Sequence, residues 1–279
     1  MEQLEKIESL FFKWLKLIMP RKVAIPLLII VIILLFLFRS CGVFSPHQHK
    51  VYLIGQDAQW YPLNLMKKEK NMTAFSDDLM LTIGKAEGLR FRLISISGEH
   101  LQDKLESEDL DAILTSMLPS PQDRETFLFS DIYFHLGTVL VVPINSVIDT
   151  WEEMGGKIIG IQTGSLLPIE AKKYPAIQLR SYDTVVQALA EVENGIIDGA
   201  LLPALPAYIY VKSFYPTTLK VATAPLTNEG LRLVALNNAE GKDLIDLFNK
   251  GLTVVRENGA YSSLIEQWSL IQTDKPLKK

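Results

Sequence analysis

The chain has 279 residues, 48% hydrophobic and 22% charged, a composition that can bury a sizeable core and excludes an intrinsically disordered chain. Residues 1–40 hold six basic and three acidic side chains, so of 28 basic and 32 acidic residues the remainder keeps 22 and 29, a net charge of −7; that balance lacks the basic face a nucleic-acid partner requires. A single cysteine, Cys41, excludes an internal disulfide framework and a multi-cysteine metal site.

Residues 1–22 form a basic amino-terminal region carrying Lys13, Lys16, Arg21 and Lys22, followed by the uncharged run VAIPLLIIVIILLFLF at 23–38. As a helix that run measures about 24 Å, somewhat short of a ~30 Å hydrocarbon core. Residues 23–40 therefore read either as an uncleaved transmembrane anchor or as the core of a secretory signal, for which Met19 offers a second start and Cys41, after Ser40, a lipid-bearing first residue. The basic flank puts the amino terminus in the cytoplasm and the rest of the chain outside. In both readings the chain is tethered to the membrane.

A polar linker, 41–50, leads to VYLIG at 51–55, which reads as a buried strand. Ser76 has the character of a helix cap, Asp77 and Asp78 suit the positive helix end, Leu79, Met80, Ile83 and Ala86 form an apolar stripe, and Gly88 stops the helix. FRLISIS, 91–97, is a second strand, and the strand, helix, strand order predicts a parallel α/β sheet.

Two stretches echo each other: KLESEDLDAILTSMLPS at 104–120 and EVENGIIDGALLPALPA at 191–207. Each runs from a helix end through an acidic turn into a strand, with Asp111 or Asp198 just before the apolar residues, as two similarly built α/β lobes would produce. The apolar stretches 138–143 and 231–236 read as two strands crossing between the lobes. Helix-forming residues 243–258, a stop at Gly259 and AYSSLIEQW at 260–268 return to the first lobe. The expected architecture is a two-lobed α/β fold with two hinge strands, lobe one comprising 51–140 and 228–272 and lobe two 141–227.

GQDAQWYPL (55–63), AFSDDLM (74–80), the Asp111 turn, PQDRETFLFSDIYF (121–134), GKIIGIQTGS (156–165), the Asp198 turn and NGAYSSLIEQW (258–268), in this order and spacing, resemble family 3 of the bacterial extracellular solute-binding proteins, the polar amino-acid binders of ABC importers. The likeness covers roughly residues 51–270 and implies a type II periplasmic-binding-protein fold. It implies further that Arg124 grips a ligand carboxylate, that Trp60 and Phe75 wall the ligand side chain, that Asp57 reads a polar tail, and that Ser116 and Met117 line the same cleft. A guanidinium suits the first role because its planar donors meet a carboxylate bidentately. In the second lobe Gln162, Thr163 and Ser165 open onto an expected helix start, where free backbone N–H groups meet anions.

Two positions depart from the family pattern. Pro119 stands where amino-acid binders usually supply a Ser or Thr, and it offers neither hydroxyl nor N–H. Pro203, five residues beyond Asp198, stands where an aspartate normally holds the α-ammonium. The expected partners are a small polar or carboxylate solute, an ABC permease and the membrane, with no cofactor, metal or nucleic acid. His47 and His49 sit in the linker, His100 and His135 lack partners at metal spacing, and no GxSxG turn or phosphate loop occurs. The alternatives are a sensor or interaction module of the same fold without a ligand, and a cyclohexadienyl-dehydratase-like enzyme in which Asp57 protonates a leaving hydroxyl.

Overall fold

A computed structural model describes residues 50–276 except 58, 61–62, 151, 164–173 and 175. The expected anchor or signal at 23–40, Cys41 and Ser165 lie outside the described residues. Among the described residues no helix is long and apolar enough to cross a membrane.

The fold is mixed α/β, built on two sheets. The first contains β1 (Val51–Gln56), β2 (Arg90–Ser95), β3 (Ala112–Thr115), β4 (Phe127–Phe129), β5 (Phe134–His135) and β11 (Gly230–Leu236), in the order β2-β1-β3-β11-β4 with β5 also on β11. The second contains β6 (Thr138–Pro143), β7 (Ile158–Gln162), β8 (Gln178–Tyr182), β9 (Gly199–Pro203) and β10 (Leu219–Val221), in the order β10-β6-β9-β7-β8. In each sheet a parallel trio, β2-β1-β3 or β8-β7-β9, is followed by an antiparallel strand, β11 or β6. This shared plan is the physical content of the sequence echo.

Helix α1 (Glu69–Glu87) buries Met72, Phe75, Ser76, Leu79, Met80 and Ile83, a stripe at three- and four-residue spacing that faces the first sheet. It begins seven residues before the cap expected at Ser76, because Met72 and Phe75 extend that stripe. Ser76 is an interior residue whose hydroxyl meets the Tyr133 hydroxyl at 3.0 Å. Gly88 ends the helix as expected, with φ 69° and its N–H on the Gly84 carbonyl. Helix α2 (Gly98–Glu106) packs Leu101 and Leu105 with Ile113 and Val234 in a separate cluster.

After α3 (Asp123–Thr126), helices α4 (Val185–Glu193) and α5 (Ala204–Phe214) cover the second sheet, and α4 carries a complete Thr184/Gln187 capping box. Strand β6 is buried on both sides: Val139 and Val141 join one cluster, Leu140 and Val142 the other. Residues 138–143 are thus an interior strand of the second sheet, and 231–236 belong to β11 in the first. Neither crosses between the sheets; the crossings fall at 136–137 and 222–229. An apolar strand wet on neither face gains about 1.5–3 kcal/mol per large side chain from this placement, and a bare hinge strand forgoes that gain.

Helices α6 (Ala239–Glu257) and α7 (Ala260–Gln267) flank Gly259, whose φ of 81° suits glycine. They return to the first sheet, as expected. Tyr261 donates to the Tyr133 carbonyl at 2.7 Å, Trp268 Nε1 donates to Asp78 at 2.9 Å, and Asn71 donates to the Trp268 carbonyl at 2.8 Å. Beyond α7 the chain reaches the second sheet's helices, where the Tyr208 hydroxyl donates to the Lys275 carbonyl and Ile271 packs against the cluster beneath α5.

Candidate functional site

Strand β1 is followed by α1 and then β2 on one side of it; β2 is followed by α2 and then β3 on the other. The winding direction reverses at β1, so the carboxyl ends of β1 and β3 open a crevice of the kind in which α/β sheets hold ligands. Asp57 follows β1 directly and Ser116 and Met117 follow β3.

Asp57, Trp60, Ser116 and Met117 line one cavity of about 110 Å³ together with Gly98 and Thr115. Asp57 accepts the Gln59 N–H at 2.9 Å, and a Cβ added to Gly98 would lie 2.8 Å from its Oδ2. The carboxylate therefore rests on the first residue of α2, and glycine there is what allows it. Asp57 and Gly98 also line a wider hollow of about 720 Å³ with Ser95 and Ser97.

Trp60 is 3% exposed and belongs to the core as much as to the cavity. Its indole donates to the Thr73 hydroxyl at 3.0 Å, while its backbone sits at φ 56°. A non-glycine residue in that region costs about 1–3 kcal/mol, and such strain concentrates where side chains are aimed for function. Phe75 lies deeper: it is fully buried, with Phe134 and Tyr261 edge-on at 5.9 and 5.6 Å, and lines none of the cavities described.

Arg124 lies in a separate cavity of about 480 Å³, with Leu118, Pro119 and Arg232. Ser120 and Asp123 start its short helix by reciprocal bonds: the Ser120 N–H donates to Asp123 at 3.0 Å and the Asp123 N–H to the Ser120 hydroxyl at 3.1 Å. Those bonds hold the Asp123 carboxyl below its ordinary pKa and direct it to Ser120. Among the described residues no carboxylate lies within ion-pair distance of Arg124, whose guanidinium stands 5.9 Å from the Phe129 ring. Arg124 is exposed.

In the second sheet, Gln162 ends β7 and Thr163 follows, its N–H on the Tyr182 carbonyl at 2.7 Å. Pro203 ends β9 and immediately precedes α5, paired with Thr138 and half-buried. Glu229, on the second crossing, accepts the Thr227 hydroxyl. A further hollow of about 80 Å³ lies beside Lys50, Asp111 and Glu240, but these groups pair with one another at 3.0 and 2.6 Å. Among the described residues no group of acidic, histidine or cysteine side chains is placed to hold a metal ion.

The sequence reading did not single out Gly98 or Arg232. Arg232 is the one charged residue in the apolar run LRLVAL, read there only as an extended stretch, and it is 6% exposed. A cation inside a buried strand was the available signal.

The profile of the bacterial extracellular solute-binding proteins, family 3, matches residues 52–271. The arginine-binding extracellular protein ArtP of Bacillus subtilis is 24% identical over 248 residues, covering 87% of this chain and 96% of that protein. A probable histidine-binding protein of Campylobacter jejuni is 25% identical, covering 78% of this chain and 84% of that protein. The virulence sensor protein BvgS of Bordetella pertussis is 24% identical over 79% of this chain, which spans 18% of BvgS. Among solved structures, the unliganded open L-cystine solute receptor of Neisseria gonorrhoeae aligns with a TM-score of 0.60 at 19% identity, covering 80% of this chain and 94% of that one. With a profile match over most of its length, the chain belongs to the bacterial extracellular solute-binding proteins, family 3.

Proposed function

We propose that the chain is a membrane-tethered solute-binding protein of an ABC-type importer, facing the extracytoplasmic space, that takes an amino-acid-like or other small carboxylate solute. The observation that carries this reading is the convergence of Asp57, Trp60, Ser116 and Met117 on one cavity at the switch point of a family 3 fold. Trp60 supplies an apolar wall and Asp57 a polar contact, and Arg124, from the cavity whose lining begins at Leu118 just after Met117, supplies a carboxylate grip. Gln162, Thr163 and Ser165 contribute from the second sheet as the two halves close, and contacts from both favour the closed form that a permease engages. Residues 23–40 provide the tether, through an uncleaved span or through lipid on Cys41; metabolic palmitate labelling lost in Cys41→Ser identifies the second.

The prolines shape the solute. A missing hydrogen bond to a charged ligand costs about 1.5–3 kcal/mol and an unpaired buried ammonium about 2–5 kcal/mol. An amino acid held only in the usual way would lose roughly three to six orders of magnitude in affinity. The solute is therefore an acid without an α-ammonium, or an amino acid whose ammonium meets Asp57 or Glu229. Thermal-shift and calorimetric titration of the full chain with amino acids, dicarboxylates and short peptides tests this, and no response to any of them defeats it.

A second reading, a sensor or interaction module without a solute, is favoured by Pro119 and Pro203 and by the relative whose name marks it as a sensor. Arg124→Ala leaving every cellular phenotype intact supports it. The proposed protein is not an enzyme; aromatic product from prephenate or arogenate would instead make Asp57 a catalytic acid.

A further inference from the structure

The cavity of about 110 Å³ beside Trp60 and the hollow of about 720 Å³ lined by Gln59, Ser95, Ser97 and Glu99 have Asp57 and Gly98 in common. Any other residue at 98 would place its Cβ on that shared boundary, 2.8 Å from the Asp57 carboxylate, so glycine keeps the two spaces continuous. On the other side, Met117 lines the small cavity and Leu118, the next residue, lines the cavity of about 480 Å³ that holds Arg124. Consecutive Cα atoms lie about 3.8 Å apart. Three spaces thus form a series, from Arg124 past Ser116 to Glu99.

Size and charge both say what such a series takes. At about 110 Å³ the middle cavity is well under the roughly 300–1,000 Å³ of pockets that hold small ligands. It has room for a linking group, and the ends of the solute must then fall in the spaces on either side. The Arg124 end carries more basic than acidic lining residues, with Asp131 its one carboxylate. At the far end Asp57 and Glu99 line the hollow with no basic side chain beside them in that lining; the exposed His100 stands outside it, its Nε2 3.5 Å from Glu99. Between the ends lie the hydroxyls of Thr115 and Ser116. A solute that is anionic at one end, neutral and hydrogen-bonding in the middle and cationic at the other complements this order.

We propose, on the footing of the solute-binding reading above, that the solute is a dipeptide, with its carboxylate on Arg124, its amide beside Ser116 and Met117, and its terminal ammonium on Asp57. An extended chain advances about 3.3–3.6 Å per residue, so two residues span about 7 Å and reach across the boundary between Met117 and Leu118. The nitrogen next to the carboxylate is then an uncharged amide, which needs no aspartate at Pro203. A free amino acid carries its ammonium at that same nitrogen and meets proline instead. The first side chain of the dipeptide enters the hollow, where Gln59, Ser95 and Ser97 suit a polar group and Glu99 a basic one.

Calorimetric titration of the full chain with alanyl-alanine, lysyl-alanine, alanine, lysine, N-acetylalanine and succinate tests the proposal. Both dipeptides are expected to bind roughly tenfold or more tightly than alanine, lysine, succinate and N-acetylalanine, the last of which has the amide and lacks the ammonium. Asp57→Asn should bring alanyl-alanine to within about threefold of N-acetylalanine. Ser97→Phe, at an exposed position where the fold tolerates a larger side chain, fills the hollow and should weaken both dipeptides roughly tenfold or more. Alanine, lysine or succinate binding as tightly as the dipeptides overturns the proposal and leaves the solute-binding reading standing, whereas no heat with any of the six compounds defeats both. N-acetylalanine matching alanyl-alanine in the parent overturns the dipeptide as well, because the ammonium then contributes nothing.

Discussion

The Asp111 carboxylate accepts the Leu53 N–H at 2.7 Å while the Asp111 N–H donates to the Leu53 carbonyl at 2.9 Å, locking the turn before β3 to the middle of β1. Asp198 makes the same two bonds to Ile158 of β7, at 2.8 and 2.9 Å. Lysine partners complete the likeness, Lys50 at 3.0 Å from Asp111 and Lys157 at 3.6 Å from Asp198. The two aspartates are equivalent clamps in two equivalent sheets.

Asp111→Ala leaves the Leu53 N–H without its charged acceptor. Hydrogen bonds to charged groups contribute about 1.5–3 kcal/mol, and partial exposure places this one toward the lower end. Denaturant unfolding is expected to show Asp111→Ala and Asp198→Ala each losing about 1–2 kcal/mol, with the Lys157→Ala effect below about 1 kcal/mol because that pair is solvent-screened. A loss at Asp111 with none at Asp198 would contradict their equivalence.

Gly98→Ala places a methyl group where the Asp57 carboxylate now rests, at 2.8 Å. Only the far end of one side chain must move, and alanine suits a helix's first turn better than glycine. The variant is expected to match or slightly exceed the parent in Tm while losing roughly tenfold or more in solute affinity, measured by calorimetry with whichever amino acid or dicarboxylate the parent binds. Unchanged affinity would remove Asp57 from the site.

Trp60→Phe deletes the indole N–H that meets Thr73 at 3.0 Å and leaves most of the apolar wall. About 1 kcal/mol of stability should go with the bond, and solute binding should weaken less than in Trp60→Ala, which also opens a core void at about 3–5 kcal/mol. Urea unfolding of both variants, compared with their solute titrations, separates the core role of this ring from its role as a wall.

His135 is held below the ordinary histidine pKa of 6.5 by burial, aided by the Arg256 and Arg232 charges and opposed by Asp274. The unfolded chain therefore binds more protons than the folded one as pH falls through 6.5, and stability falls with it. In His135→Gln the loss of stability between neutral pH and pH 5 should be shallower than in the parent, followed by Tm across that range. An identical slope would show that carboxylates elsewhere set the acid response.

Periodic elements were legible in the sequence. The Leu79, Met80 and Ile83 stripe, the Gly88 and Gly259 stops and the Asp111 and Asp198 echo all express local rules, and each has a counterpart in the structure. Ser76 misled because a serine before two aspartates looks like a cap, whereas here its hydroxyl is satisfied by Tyr133, 57 residues away. Sheet membership of 138–143 was hidden for the same reason: an apolar strand does not say which partners bury it. Asp57, Trp60, Ser116 and Met117 were singled out through resemblance and line one cavity, but the separate position of Arg124 and the burial of Arg232 depend on how β11 lies against β3 and β4, which no short-range pattern encodes.

Pro203 offers a gain-of-function test. It directly precedes α5 at φ −54° and ψ 134°, a conformation open to aspartate, and no side chain caps that helix. Pro203→Asp supplies the carboxylate that family 3 amino-acid binders usually place there. Because Pro206 has no N–H to offer, the new carboxylate finds only the Leu205 N–H among the usual cap donors, leaving acceptor capacity for an ammonium. The variant should fold with stability within about 1 kcal/mol of the parent and bind α-amino acids roughly thirtyfold or more tightly than the parent, the conversion of about 2 kcal/mol of regained ion pairing. Affinity for dicarboxylates should fall, since a second carboxylate then faces the solute. Calorimetric titration of parent and variant with one amino acid and one dicarboxylate reads both changes, and an amino-acid affinity unmoved by the substitution would show that the ammonium, or its replacement, lies elsewhere.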